Sequence, residues 1–343
     1  MIFEAKNGKI APMRVLITGG AGFIGSHLAD RFLAEGATVT VLDNLSTGRR
    51  HNIEHGLNST QFRFVEGNVL DSRFVEQLVQ EHDLVCHLAA VVGVDRVLAD
   101  PLRAILHNVG GTEIALAWAH KYGRRVLFAS TSEIYGKSSN VPFEEDDDRV
   151  LGSTQITRWA YSTGKALDEH LCLAYHAQGL PVSIVRYFNS YGPRLDPKGY
   201  GSVVGTFVAQ AIANEPMTVH HDGQQTRCFS YIDDTVQGSV LAATATQALG
   251  QVFNIGSDTE TTILGLAELV RRLTESEAEL TFVPHCDAYG ADFEDIPRRV
   301  PDVSKAERLL GFRAQVSLEE GLQKTIAWFR NYLPTQATTE GTD

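Results

Sequence analysis

The chain has 343 residues, of which 43% are hydrophobic and 21% charged, enough length and apolar content for one large soluble domain or a domain with a smaller lobe. Thirty basic against 42 acidic residues give a net charge of −12, which argues against a broad nucleic-acid surface or a footing on anionic lipid. No apolar run reaches the length of a membrane span and charges interrupt Met1 to Pro12, so neither an anchor nor a signal core is expected and the protein is placed in the cytoplasm.

The first element is a buried strand, Arg14 to Thr18, running into Gly19-Gly20-Ala21-Gly22-Phe23-Ile24-Gly25. A helix follows from about Phe23 to Glu35, and a second strand, Thr38 to Leu42, ends in Asp43. Strand, glycines, helix, strand and acid stand in the order of a dinucleotide-binding βαβ unit. Gly19, Gly22 and Gly25 allow the tight turn, the approach of a pyrophosphate and close helix packing, and the helix N-terminus offers free N–H groups to phosphate. A carboxylate at the end of the second strand accepts both hydroxyls of an adenosine ribose and repels a 2′-phosphate, so Asp43 favours NAD over NADP, although Arg49 and Arg50 stand close enough to meet a phosphate.

Further strands are expected at Gln61–Glu66 and Leu84–Leu88, with a helix near Asp71–Gln80 between them. Small residues after the second, Leu88-Ala89-Ala90, leave room for a cofactor to cross the sheet edge. A long helix from Pro101 to Tyr122 leads into Val126-Leu127-Phe128-Ala129-Ser130-Thr131-Ser132-Glu133, where an apolar strand ends in hydroxyls and a carboxylate. That polar end lies at the carboxyl edge of the expected sheet, where ligands of open α/β proteins bind. The acidic run Glu144 to Asp148 has no accompanying ligand cluster and reads as a solvated loop.

Tyr161 and Lys165 are four apart in a helix from about Ala160 to Gln178 and share one face. An ammonium there, helped by a cationic nicotinamide, would lower the tyrosine pKa and make it a usable base. A strand at Val182–Tyr187 follows, and then the strict alternation loosens through a helix near Val203–Asn214 and a strand near Met217–His220. A helix near Ile232–Ala245 and a strand at Val252–Ile255 return to the first unit. The expected organisation is therefore interleaved: 12–187 with about 232–258 for the cofactor, and 188–231 with about 259–333 for the substrate. Cys86, Cys172, Cys228 and Cys286 are scattered without a C-x-x-C pair and read as core residues, and the histidines have no metal-ligand spacing, so no metal is expected.

The glycine loop, Thr131-Ser132-Glu133, Tyr161-x-x-x-Lys165 and Arg186-Tyr187-Phe188-Asn189-x-Tyr191-Gly192-Pro193-Arg194 together resemble the extended short-chain dehydrogenase/reductase family, from about residue 14 to residue 330. The resemblance implies an α/β Rossmann fold, a doubly wound parallel sheet with a smaller C-terminal substrate-binding α/β lobe. It also implies bound NAD held through Gly19, Gly22, Phe23, Ile24, Gly25, Asp43, Asn44, Leu88, Ala89, Ala90, Tyr161 and Lys165, a UDP-sugar substrate, and a homodimer built through a four-helix bundle. Thr131, Tyr161 and Lys165 match the family's catalytic groups, and Asn189, Arg194 and Arg227 its substrate-binding positions.

Within the family, Glu133 and Arg299 look like those of the UDP-glucuronate decarboxylases, and a guanidinium at 299 suits a sugar carboxylate. The 4,6-dehydratases carry Asp where Ser132 stands, and serine is a poor general acid for expelling a hydroxyl. The resemblance therefore implies decarboxylation of UDP-glucuronate through a 4-keto sugar, to UDP-xylose or to released UDP-4-keto-pentose, with Thr131, Ser132, Glu133, Tyr161, Lys165 and Arg299 at the reacting centre. A UDP-sugar 4-epimerase, an NDP-hexose 4,6-dehydratase and a non-catalytic NAD-binding regulator are the alternatives. Two positions depart from the decarboxylase pattern: Ser202 stands where an arginine is usual, and Phe293 where some relatives have tyrosine.

Overall fold

A computed structural model describes residues 12–196, 202–284 and 294–339. Cys286, Phe293 and the leader up to residue 11 lie outside the described residues. The alternating βα pattern folds into one seven-stranded parallel sheet. Its strands in chain order are β1 (Arg14–Thr18), β2 (Thr38–Asp43), β3 (Phe62–Glu66), β4 (Leu84–His87), β5 (Arg125–Thr131), β6 (Val182–Tyr187) and, after four shorter strands, β11 (Val252–Ile255). Their spatial order is β11-β6-β5-β4-β1-β2-β3, so the winding reverses between β1 and β4 and the sheet edge opens a crevice there.

Both faces of the sheet are covered, and the period of two in each strand sorts the core. Val15 and Ile17 of β1, Leu127 of β5 and Val185 of β6 point to one side, with Leu28, Phe32, Val236, Val240 and Phe253. Leu16, Val126, Phe128, Val182 and Ile184 point to the other, with Val75, Leu78, Leu116 and Cys172. The first side is closed by α1 (Phe23–Ala34) and α7 (Ile232–Thr244). The second is closed by α2 (Ser72–Glu81), α4 (Pro101–Tyr122) and α5 (Trp159–Ala177). Between β4 and α4 lies a short helix that the periodicity did not predict, α3 (Val94–Ala99). Asp71 and Asp100 cap α2 and α4 by accepting from Phe74 N and Arg103 N, which explains where those two helices begin.

The remaining strands form small sheets beside the large one. β7 (Ser190–Tyr191) pairs with β10 (Ser230–Tyr231), and β8 (Met217–His220) pairs with β13 (Leu280–Val283). β9 (Thr226–Cys228) is the centre of a three-stranded sheet between β12 (Glu260–Thr262) and β14 (Arg298–Arg299). Parallel pairing of β14 with β9 sets Arg299 directly opposite Arg227. Helices α6 (Val203–Ala213), α8 (Ile263–Thr274), α9 (Ser304–Leu310) and α10 (Leu318–Thr339) complete the chain.

A buried polar network ties α5 to the sheet. Arg186 of β6 donates from Nε and Nη2 to the two carboxylate oxygens of Glu169 on α5, at 3.0 and 2.7 Å. Its Nη1 reaches the Tyr135 hydroxyl at 2.8 Å and the Glu145 carbonyl at 2.9 Å, and Tyr135 in turn donates to Asn254 of β11 at 2.7 Å. Ser130 of β5 donates to the same glutamate. Glu145 therefore departs from the solvated loop expected of Glu144 to Asp148: it is buried, and its carboxylate accepts from Asn254 N at 2.8 Å. Sequence composition registers only the run of acids, whereas the strand end at 254 presents an N–H that one of them answers.

Removing one side of this ion pair strands the other charge away from water. Glu169→Ala is expected to lower unfolding stability by about 3–5 kcal/mol in a urea titration, while the apolar replacement Glu169→Leu with Arg186→Met recovers part of that loss.

Candidate active site

A cleft of about 420 Å³ lies over the carboxyl edge of the sheet where β1 and β4 part. Its floor is built by glycine. Gly19 has φ +71°, and a Cβ on it would lie 2.8 Å from Ala89 N; a Cβ on Gly25 would lie 2.3 Å from the Gly19 carbonyl oxygen. No other residue fits either position without moving backbone. The first turn of α1 begins at Gly22, so the N–H groups of Phe23, Ile24 and Gly25 open toward the cleft without partners inside the helix. Leu88, Ala89 and Ala90 form the facing wall, with Ala89 N held by the Thr18 hydroxyl at 3.3 Å.

Asp43 lies at the far end of this cleft and is fixed by two N–H donors, Ala21 at 3.0 Å and Leu45 at 2.8 Å. Burial raises its pKa, and those two hydrogen bonds oppose the rise. Asn44 lines the same end, its side chain accepting from Ser46 N at 3.0 Å. Of the two arginines that could have met a phosphate, Arg50 stacks over Phe64, and Arg49 pairs with Asp196 at 3.0 Å and donates to the Tyr332 hydroxyl at 3.3 Å. Open helix N–H groups, glycines with no room for a side chain and a carboxylate at the second strand end fit a dinucleotide lying across the edge.

Thr131, Glu133, Tyr161 and Lys165 line the middle of the cleft. Thr131 closes β5, and its hydroxyl accepts from Glu133 N at 3.2 Å, starting the single turn Ser132–Tyr135 that carries Glu133. Ser162 of α5 donates to the Glu133 carbonyl at 2.7 Å and holds that turn against the helix. Burial pushes the Tyr161 pKa up, Glu133 and Asp168 push the same way, and the Thr131 hydroxyl opposes them. Lys165 Nζ donates to the Ala129 carbonyl at 2.9 Å, sits 4.4 Å from the Phe128 ring centre, and has its own pKa lowered by burial. A cationic nicotinamide beside the phenol would oppose that rise.

Beside Tyr161 three arginines crowd into one buried cluster. Arg299 of β14 pairs with Glu133 at 2.6 Å and reaches the Ser132 hydroxyl at 3.4 Å. Arg158, in the turn before α5, meets Glu133 at 3.3 Å and Asp295 at 3.8 Å, and Arg227 of β9 meets Asp295 at 3.1 Å. Arg227 is pushed down to about 10, first by burial and next by the positive charge of Arg299. Glu133 is held down to about 2: burial opposes its ionisation, and Arg299 and then Arg158 overcome it. The cluster is rich in cation, and Arg299 Nε has no hydrogen-bond partner.

The expected substrate residues fall into two groups. Arg227 and Arg299 come together, whereas Arg194 lies at the cleft mouth, pairing with Asp30 at 2.8 Å. Asn189, at φ +36°, lines the cleft and donates to the Cys228 carbonyl at 3.0 Å. Ser202 also lines it and caps α6 through Gly205 N. Sequence reasoning missed Arg158. Its position three residues before Tyr161 was the available signal, since that spacing brings it near the same helix face. It missed Asn108 as well, whose amide makes two hydrogen bonds to Val91 and so shapes the cleft wall.

Residues 15–256 match the model of the NAD dependent epimerase/dehydratase family. The chain is 43% identical, over 92% of its length and 98% of the relative's, to the UDP-N-acetyl-alpha-D-glucosaminuronate decarboxylase of Bacillus cytotoxicus. It is 38% identical to UDP-glucuronic acid decarboxylase 1 of Xenopus tropicalis, over 95% of this chain and 74% of that one. Among solved structures it resembles the UDP-glucuronic acid 4-epimerase of Bacillus cereus in complex with UDP-glucuronic acid and NAD, with a TM-score of 0.83 and 30% identity over 93% of this chain and 99% of that one. The chain belongs to the NAD dependent epimerase/dehydratase family. Among its described residues no helix is long and apolar enough to cross a membrane.

The depressed Glu133 pKa makes a signed prediction. A carboxylate whose folded pKa lies below its usual 4.5 stabilises the protein above that pH and loses the contribution as pH falls toward 2. Glu133→Gln is therefore expected to be less stable than the parent by about 3 kcal/mol at pH 7, with the gap narrowing below pH ~4.5, as read by denaturant unfolding across pH.

Proposed function

We propose that this member of the NAD dependent epimerase/dehydratase family decarboxylates UDP-glucuronate through a UDP-4-keto intermediate. The observation that carries the reading is the cation-rich cluster of Arg158, Arg227 and Arg299 around Glu133, set beside Tyr161 and Thr131. A uronate carboxylate entering there would answer the surplus positive charge and place its neighbouring C4 hydroxyl near the tyrosine. The named activities of the two decarboxylase relatives support the same reading.

Bound NAD would supply hydride removal from C4 and its return. Tyr161 takes the C4 hydroxyl proton and Thr131 hydrogen-bonds that oxygen. The C6 carboxylate is then β to a ketone, and its C–C bond breaks to release CO2, leaving an enolate whose oxygen Tyr161 and Thr131 stabilise. Glu133, ionised by its arginines, orients a water that protonates C5 rather than giving up a proton itself, and the hydroxide left behind is protonated from solvent. Tyr161 returns its proton to O4 as UDP-xylose forms; release before that point gives UDP-4-keto-pentose. Ser132, bonded to Arg299, leaves the position of a dehydratase acid without one.

A second reading concerns C2 of the sugar. The 43% identical relative is named for the N-acetylated uronate, which shares the reacting carboxylate and differs at the position of the acetamido group. We assign 12–187 with about 232–258 to NAD and 188–231 with about 259–333 to the nucleotide sugar, with Asn189, Arg194 and Arg227 as its contacts and Asp43 as the ribose anchor. A homodimer is part of the proposal: Leu102, Ile105 and Leu106 on α4 and Leu167 and Leu173 on α5 leave apolar side chains exposed on two neighbouring helices, which a second copy would cover. The free buried thiols Cys86, Cys172 and Cys228 suit a reducing compartment, and we place the protein in the cytoplasm.

Incubation of purified protein and NAD with UDP-glucuronate, and in parallel with its 2-acetamido counterpart, should give a product lighter by one CO2 in mass spectrometry; an inverted sugar of unchanged mass would mean an epimerase. Tyr161→Phe should lower kcat by about 10²–10⁴-fold, while Arg299→Ala should chiefly weaken uronate binding. Leu106→Glu should shift the protein from dimer to monomer in light scattering, and an unchanged mass would remove that surface from the proposal.

A further inference from the structure

One buried charge has no part in the chemistry above. Asp168 lies one turn beyond Lys165 on α5 and is fully buried, and neither carboxylate oxygen makes a close hydrogen bond. A desolvated carboxylate in such a place is costly unless a cation answers it. Its neighbour Glu169 is already committed to Arg186 and Ser130. The cation facing Asp168 is Lys165, whose Nζ is 3.8 Å from Oδ2.

We propose that Asp168 is the fixed counter-ion of Lys165, a positioning residue that keeps the buried ammonium charged so that it can serve Tyr161. Among the described residues, the surroundings leave this task to no other group. His87 of β4 is held neutral, its pKa lowered to about 3 by burial and by Lys165, and its ring bonds the Thr18 and Thr112 hydroxyls. The Phe128 ring and Ala129 carbonyl of β5 carry no net charge. From α5, Cys172 faces the pair as an un-ionised thiol, pushed up by burial, and Glu169 is neutralised by Arg186. From α4, the Thr112 hydroxyl donates to the Asn108 carbonyl at 2.9 Å and also lowers the Asp168 pKa, but carries no charge.

The two groups pull each other's protonation in the direction that a pair requires. Burial lowers the Lys165 pKa and Asp168 is the first influence opposing it; burial raises Asp168 to about 6 and Lys165 is the first influence opposing that. At neutral pH and above, the carboxylate is ionised and holds the ammonium. Asp168 also acts on Tyr161 directly and raises its pKa, so its action through Lys165 is read from the pH profiles of the variants.

The proposal rests on the Tyr161–Lys165 reading above, and its test has one arm that does not need turnover. Asp168→Asn preserves shape and removes the charge; Asp168→Glu restores a carboxylate. The Lys165 titration is followed in 13C-lysine-labelled protein by NMR, assigned with Lys165→Arg, and kcat with UDP-glucuronate is measured across pH in the same variants. Asp168→Asn is expected to lower the Lys165 pKa and the alkaline limb of kcat by about one pH unit or more, which is about a tenfold loss at a fixed pH on that limb, and Asp168→Glu to reverse both in part. An unchanged Lys165 titration in Asp168→Asn overturns the proposal, as does an equal, pH-independent loss of kcat in both variants. Absence of CO2 release by the parent would sink the decarboxylase reading while leaving the NMR arm to decide the counter-ion.

Discussion

The active edge depends on how α5 is turned against the sheet, and the bidentate ion pair between Glu169 and Arg186 sets that turn. Tyr161, Lys165 and Glu169 follow each other at four-residue steps along one helix face. Anchoring Glu169 to β6 and β5 therefore delivers the other two to the carboxyl end of β5, where Thr131 waits. The anchor is rigid because it lies out of water, because the Tyr135 hydroxyl and the Glu145 carbonyl accept from the rest of the guanidinium, and because Asn254 in turn holds Tyr135.

Two electrostatic regimes meet at that edge. Under α5 the groups are single charges in an apolar pocket, Lys165 and Asp168, where burial dominates and each needs the other. Beside α5 the groups are crowded, with Arg158, Arg227 and Arg299 gathered on Glu133 and Asp295, where repulsion between guanidiniums adds to burial. The first regime can govern the protonation of a base. The second can receive an anion. Tyr161 stands at the boundary, and burial together with the charge of Glu133 raises its pKa.

The small sheet formed by β12, β9 and β14 explains how distant chain segments build the anion pocket. Pairing of Arg299 with Arg227 in register places two like charges opposite each other, an arrangement that strands normally avoid. Glu133 and Asp295, reaching the pair from β5's end and from the segment before β14, make it tolerable. Strain of this kind at a strand pair, offset only by groups of a binding cleft, is what a site under functional demand looks like.

Local pattern determined most of the large sheet. The apolar runs at 14–18, 38–42, 126–131, 182–187 and 252–255 became its strands, and the glycines at 19, 22 and 25 became the cleft floor, because strand period and glycine stereochemistry act within a few residues. Thr131, Glu133, Tyr161 and Lys165 were legible for the same reason, each standing at a strand end or a helical spacing. Tertiary structure alone decided the rest. It put Arg158 on Glu133, drew Glu145 out of an acidic run to meet Asn254, and set Lys165 against Ala129 and Asp168. Those outcomes depend on which charges lose their water and which opposite charge is then in reach, and desolvation is a property of the packed molecule that no spacing along the chain encodes.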